Sequence, residues 1–249
     1  MNALKNCAGP IIAIILASFA VGCNSNDSPP PTPSGDIVNK IMPLGASRVA
    51  GAPPEYYSYR YGLWKLLLDG GYQVDFVGNE QDNYPYPPHN GQNFDVDHEG
   101  RGGADSEGVL SELRMTLSQL SAPPDIVLFS SPGGNDGIDN YAQTLININD
   151  IIDELQMSNP NVTVFLELPA PPQTSQQTPE FSAFYDQALV DLATIAQQQT
   201  SNTSQVLTVD MTVAAGFNDS FLADDVHYNE AGAVFIANRY FEALAPVLQ

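Results

Sequence analysis

The chain has 249 residues, and its 8 Lys and Arg against 29 Asp and Glu give a formal net charge of −21. So acidic a surface argues against nucleic acid and against anionic lipid headgroups as targets. The only cysteines are Cys7 and Cys23; if the chain is cut before Cys23 no disulfide is left to the folded part, and its stability must come from a hydrophobic core.

In chain order, Lys5 precedes an apolar run from Ile11 to Val21 that ends at Gly22-Cys23. The run is too short to span a bilayer and has the layout of a signal peptide. Ala20-Val21-Gly22-Cys23 resembles a bacterial lipobox, in which the cysteine is acylated and becomes the new N-terminus. Residues 1–22 are therefore expected to be a lipoprotein signal. Residues 23–36, lipidated Cys23 followed by the Pro-rich stretch NSNDSPPPTPSGD, are expected to be a tether. Asn24 after the cysteine resembles the enteric sorting rule for the outer membrane, on its periplasmic or surface face. Any membrane contact is expected through that anchor alone, with a single folded domain over residues 37–249.

Beyond the tether, short apolar runs alternate with longer helical segments, the signature of βαβ units and a parallel sheet. Strands are predicted over Lys40 to Leu44, Gln73 to Val77, Asp125 to Phe129, Val162 to Leu168 and Gln205 to Val209. Helices are predicted over Tyr59 to Asp69, Val109 to Leu120, Asn140 to Met157, Pro179 to Gln199 and Glu230 to Val247. Gly70-Gly71 closes the first helix and Asn159-Pro160 stops the third. The last repeats apolar residues at Ala233, Ile236, Ala237, Tyr240, Leu244 and Val247, which builds one face for packing. The pattern predicts an α/β fold, a three-layer α/β/α sandwich on a five-stranded parallel sheet in the flavodoxin-like order 2-1-3-4-5. Ligands in such sheets bind beyond the carboxyl ends of the strands, where the order reverses. The loops after Leu44 and after Phe129 should line the site.

Three loops at that edge carry reactive groups. Gly45-Ala46-Ser47 follows the first strand, Gly133-Gly134-Asn135-Asp136 follows the third, and Asp224-Asp225-Val226-His227 precedes the last helix. A serine hydroxyl is a poor nucleophile until an imidazole takes its proton, and the imidazole needs a carboxylate to hold its tautomer. Of the three histidines, His227 alone has an acid placed to orient it from the same short loop. Asp224 can fold back onto the ring, and spacing alone leaves Asp225 open. The tetrahedral intermediate needs donors for its oxyanion, which Asn135 can offer from its amide and Ser47 and a glycine such as Gly103 from the backbone. His98 lies in DVDHEGRGGADSEG, whose twelfth position is Ser106 where a calcium loop needs Glu, so a turn network is expected and no metal. His89 reads as a solvated loop residue, and Arg48 as either a substrate contact or one half of a surface ion pair. Tyr84, Tyr86 and Phe94 lie in a loop whose flat aromatic faces suit a sugar. No apolar stretch outside the core suggests a fatty-acyl channel.

The stretches MPLGAS, EGRGG, GGND and DDVHYNEAG resemble, in order, the four sequence blocks of the SGNH (GDSL-like) hydrolases. YRYGLWKLLLDGGYQVDFVG and DVDHEGRGG are similar to the acetylxylan-esterase branch, carbohydrate esterase family 3. The resemblance implies Ser47 as nucleophile, Asp224 and His227 as the rest of a triad, and Ser47, Gly103 and Asn135 as the oxyanion hole. It favours Gly103 over the adjacent Gly102. It implies a serine esterase that needs no cofactor and removes short acyl groups, O-acetyl on a polysaccharide such as xylan. The alternatives are a broad esterase or lysophospholipase acting on lipid acyl esters, and a non-catalytic glycan-binding surface lipoprotein. Two departures stand out. Ala46 replaces the usual Asp between glycine and serine, and Ser130-Ser131-Pro132 makes the approach to Asn135 one residue longer than usual.

Overall fold

The first strand, β1 (Val38–Gly45), carries apolar side chains that alternate between two cores. Ile41 enters one core, and Met42 and Leu44 enter the other. In this computed structural model, residues 38–132 and 135–248 are described. The expected signal, Cys23, the tether, Ile37, Gly133 and Gly134 lie outside them.

Around β1, the strands β2 (Gln73–Phe76), β5 (Ile126–Phe129), β6 (Thr163–Leu168) and β7 (Gln205–Asp210) form a parallel sheet in spatial order β2-β1-β5-β6-β7. These are the five predicted strands in the predicted order. Helices α2 (Arg60–Asp69) and α6 (Glu230–Leu244) cover one face with Leu63, Leu67, Ile236 and Tyr240. The other face is covered by α3 (Ser106–Gln119), α4 (Tyr141–Ser158) and α5 (Pro179–Gln199), through Leu113, Ile151 and Ile195 among others. Both faces of the sheet are thus apolar, as an all-parallel sheet requires.

Two further strands correct the expected count of five. Short β3 (Glu80–Gln81) pairs antiparallel with β4 (Asp97–Gly100), and β4 pairs parallel with β1 at Leu44 and Gly45. Because β2 pairs with β1 only from Val38 to Ile41, β4 takes over the same edge where β2 ends. Neither strand shows hydrophobic alternation, since β4 reads DHEG and buries His98 and Glu99 by polar pairing. A one-turn helix, α1 (Ser47–Ala50), follows β1 directly.

Helix starts follow their caps. Asp105 accepts the Gly108 N–H at 2.9 Å, so α3 begins at Ser106, earlier than its apolar pattern implies. Thr178 caps α5 with Pro179 in its first turn, and Asn229 caps α6 through the Gly232 N–H at 3.0 Å. Among the described residues no helix is long and apolar enough to cross a membrane.

Candidate active site

The chain leaves β1 at Gly45 with φ +149°, where an added Cβ would lie 2.5 Å from the Ser130 carbonyl oxygen. Glycine lets the strand end against the β5 loop and swing directly into α1. Ser47 opens that helix, so its N–H has no earlier helical carbonyl to bond. Fully buried Arg60 holds the helix's far end, donating to the carbonyls of Val49 (2.8 Å) and Ala50 (2.9 Å), and Asp82 balances its charge at 2.7 Å. With the Arg101 N–H bonded to the Gly45 carbonyl at 2.8 Å, these contacts fix the serine loop around Ala46.

The loop before α6 is closed by pairing of Leu222 with Tyr228 and by the Ala223 N–H to the His227 carbonyl at 2.8 Å. Inside it, Asp224 Oδ1 accepts the backbone N–H groups of Val226 (2.9 Å) and His227 (2.7 Å), while Oδ2 lies 2.8 Å from His227 Nδ1. His227 Nε2 in turn lies 2.8 Å from Ser47 Oγ. Geometry therefore brings Asp224 to the ring, whereas Asp225 is bound through its carbonyl to the Gln173 N–H. Desolvation alone would raise the Asp224 pKa, but the two N–H donors and the imidazole outweigh it and hold the carboxyl at about 2. The carboxylate is ionised wherever the imidazole can act as a base.

Two neighbours of these three residues were not legible in the sequence. The Tyr56 ring stacks on the His227 ring at 4.0 Å between centroids and 18° between planes, shielding one face of the imidazole. Arg48 does not form the expected surface ion pair, and it lines the same opening as Ser47. It is buried and donates to the carbonyls of Val226 and Ala170, both at 2.8 Å, and to Ser131 Oγ at 3.3 Å, with its guanidinium over the Tyr228 ring. It ties the serine helix to the histidine loop and to the loops after β5 and β6. Ser131, in a left-handed conformation at φ 45°, also donates to buried Glu167 at 3.2 Å.

Of the expected oxyanion donors, Ser47 and Asn135 line the same opening. Asn135 donates one amide N–H to the Ala104 carbonyl at 2.6 Å, and its second N–H remains to be used. Asp136 accepts both the N–H (2.8 Å) and the hydroxyl (2.7 Å) of Ser106, so the Asn135 loop is pinned to the start of α3 despite its extra residue. Gly103 sits in an exposed turn at φ +79°, where conformation rather than crowding asks for glycine.

Other expectations resolve into structure. Asp95 binds the Phe76 N–H, Glu99 binds Asn79, Thr116 and Arg101, and Asp97 binds Gln81, a turn network. Among the described residues no cluster of three potential metal ligands occurs. His89 pairs with Asp69 at 2.7 Å. The rings expected to suit a sugar pack largely on one another, with Tyr84 edge-on to Tyr86 at 5.0 Å. Tyr86 packs on Phe94, Phe94 packs on Tyr61 and Trp64, and the Tyr86 hydroxyl bonds Asp82. The expectation against an apolar channel is also corrected. A cavity of about 340 Å³ begins at Ala46 and Ser47 and runs between α4 and α5. No single apolar stretch encodes it, because helix-packing positions on two segments line it together.

The fold, with the serine, glycine, asparagine and histidine loops gathered at the carboxyl edge of its sheet, is that of the SGNH hydrolases. Within that class the chain resembles the carbohydrate esterase family 3 branch. It is 29% identical to a carbohydrate esterase family 3 structure from Talaromyces cellulolyticus, covering 83% of this chain and 96% of that one, with a TM-score of 0.69. A family 3 carbohydrate esterase from Clostridium thermocellum is 28% identical over 84% of this chain and all of its own, with a TM-score of 0.64. A mutant acetyl esterase, solved with an acetate ion, is 28% identical over 83% and 96%, with a TM-score of 0.69. No family model and no curated protein matches the chain.

Proposed function

We propose that this protein hydrolyses carboxylic esters through an acyl-enzyme on Ser47. The observation that carries the reading is the unbroken line of contacts from Ser47 Oγ to His227 Nε2 and from His227 Nδ1 to Asp224, each 2.8 Å. His227 takes the hydroxyl proton as Ser47 attacks the ester carbonyl, then returns it to the departing alcohol. Asp224 holds the tautomer and stabilises the imidazolium, and Tyr56 offers its ring face to that cation. The developing oxyanion is received by the N–H groups of Ser47 and Gly103 and by the Asn135 amide. Water activated by His227 then releases the acid.

On the alcohol side, likeness to family 3 carbohydrate esterases and to an acetyl esterase supports a sugar ester, O-acetyl on a polysaccharide such as xylan. The cavity at Ser47 favours a second reading on the acyl side, an ester of a longer acid. The lipobox-like residues support a site of action at the outer membrane, with Cys23 as the anchor.

Ser47→Ala tests the reading with p-nitrophenyl acetate. Loss of turnover by roughly a thousandfold or more is expected, together with loss of labelling by a fluorophosphonate. Unchanged turnover would remove Ser47 from the mechanism, and sugar binding without ester hydrolysis would favour a glycan-binding lipoprotein.

A further inference from the structure

From the cavity between α4 and α5 we infer that this enzyme binds an unbranched acyl chain of medium length, and hydrolyses such esters better than acetyl esters. The inference rests on the ester-hydrolase reading and names its acyl group. Ser47 lines the cavity mouth, and Asn135 lies on the same rim. A carbonyl held between nucleophile and oxyanion donors therefore has the cavity directly beside its acyl carbon. Ala46 and Pro132 make the mouth apolar, and buried Ile148 and Leu192 lie deep in the cavity.

The walls are predominantly apolar, and the tyrosines among them have their polar ends engaged. The Tyr141 hydroxyl donates to Asp191 at 2.7 Å, and the Tyr185 hydroxyl to the Pro169 carbonyl at 2.6 Å. Ring carbon is what they offer to the cavity. The Arg48 Nε and Nη1 are likewise engaged on carbonyl oxygens. A sugar ring placed here would bury hydroxyls with few partners, at a cost a hydrocarbon does not meet. An acetyl methyl would fill little of a space of about 340 Å³, which falls in the range of small-molecule sites. The polysaccharide or glycerol part of an ester would stay on the open side of Ser47.

The test is a series of p-nitrophenyl esters from acetyl through butyryl, hexanoyl and octanoyl to decanoyl, run on the wild-type chain and two variants. Ala188 of α5 lines the cavity without touching the triad, and Ala188→Trp fills it. Ile138, at the rim and 40% exposed, tolerates Ile138→Asp without burying a charge in the core. Wild-type kcat/KM is expected to rise by about fourfold per added methylene until the cavity is full. Each variant should flatten that rise, while fluorophosphonate labelling of Ser47 reports that the nucleophile is still in place. An active, labelled enzyme whose rates fall beyond acetyl would overturn the acyl site and leave the hydrolase standing. A chain that neither hydrolyses any ester nor takes the label would overturn both.

Discussion

At the scale of single residues, Asp224 divides its two oxygens between two tasks. Oδ1 closes the turn through two backbone N–H groups, and Oδ2 meets the ring it serves. Removing the charge while keeping the shape should spare the turn and spoil the tautomer. Asp224→Asn can present an amide N–H to His227 Nδ1, which favours the tautomer with the proton on Nε2, where the base is needed. We expect kcat to fall by roughly a thousandfold to ten-thousandfold with KM little changed. Asp225→Asn, one residue on, should leave kcat nearly unchanged, and equal losses in the two variants would withdraw the assignment of Asp224. The grouping of Ser47 and His227 with an acid was legible because each residue type has a fixed chemical task and lies in a loop at the sheet's carboxyl edge. Spacing alone left Asp225 open beside Asp224, and the contact with the ring decides between them. Arg48 and Tyr56 were not legible, since bonds to main-chain carbonyls and one stacked ring leave no spacing signature.

At the scale of elements, the five parallel strands and the five helices of two turns or more could be read from hydrophobic period, because burial on both faces writes itself into the apolar pattern. Strands β3 and β4 could not, as they pair through polar residues at an edge. The cavity beside Ser47 has no signature in the apolar pattern either, since it depends on how far apart α4 and α5 sit rather than on either helix alone. The junction of β1 and α1 is where element geometry and chemistry meet. Gly45→Ala would press a methyl group onto the Ser130 carbonyl and require a conformation that side chains disfavour. We expect it to lower stability by about 1–3 kcal/mol in urea unfolding and to move Ser47 enough to depress turnover. Normal stability with normal activity would show that the junction has room to shift.

At the scale of the whole molecule, the surplus of acid leaves few cations, and the structure spends several of them internally. Arg48, Arg60 and Arg101 bind loop carbonyls or buried carboxylates around the serine and glycine loops. Two of these cations also face a buried histidine that burial itself holds neutral. His98 is buried, its Nδ1 accepts the Gly100 N–H at 3.0 Å, and desolvation first, then the charges of Arg60 and Arg101, push its pKa down to about 2. The unfolded chain, with an ordinary histidine pKa near 6.5, takes up that proton first. The neutral side chain's contribution is therefore complete above about pH 6.5 and is lost as pH falls, at about 1.4 kcal/mol per pH unit. Asp224, lowered below its ordinary 3.8, begins to cost stability only in stronger acid, so the interval between about pH 4.5 and 6.5 separates the two. Replacing His98 with Asn keeps an acceptor for Gly100 and removes the titration. The variant should be less stable at neutral pH because it leaves a void, yet its unfolding free energy should change less steeply across that interval than that of the wild-type chain. Chemical denaturation at a series of pH values measures both slopes, and parallel curves would mean that His98 takes up its proton in the folded protein as readily as in the unfolded one.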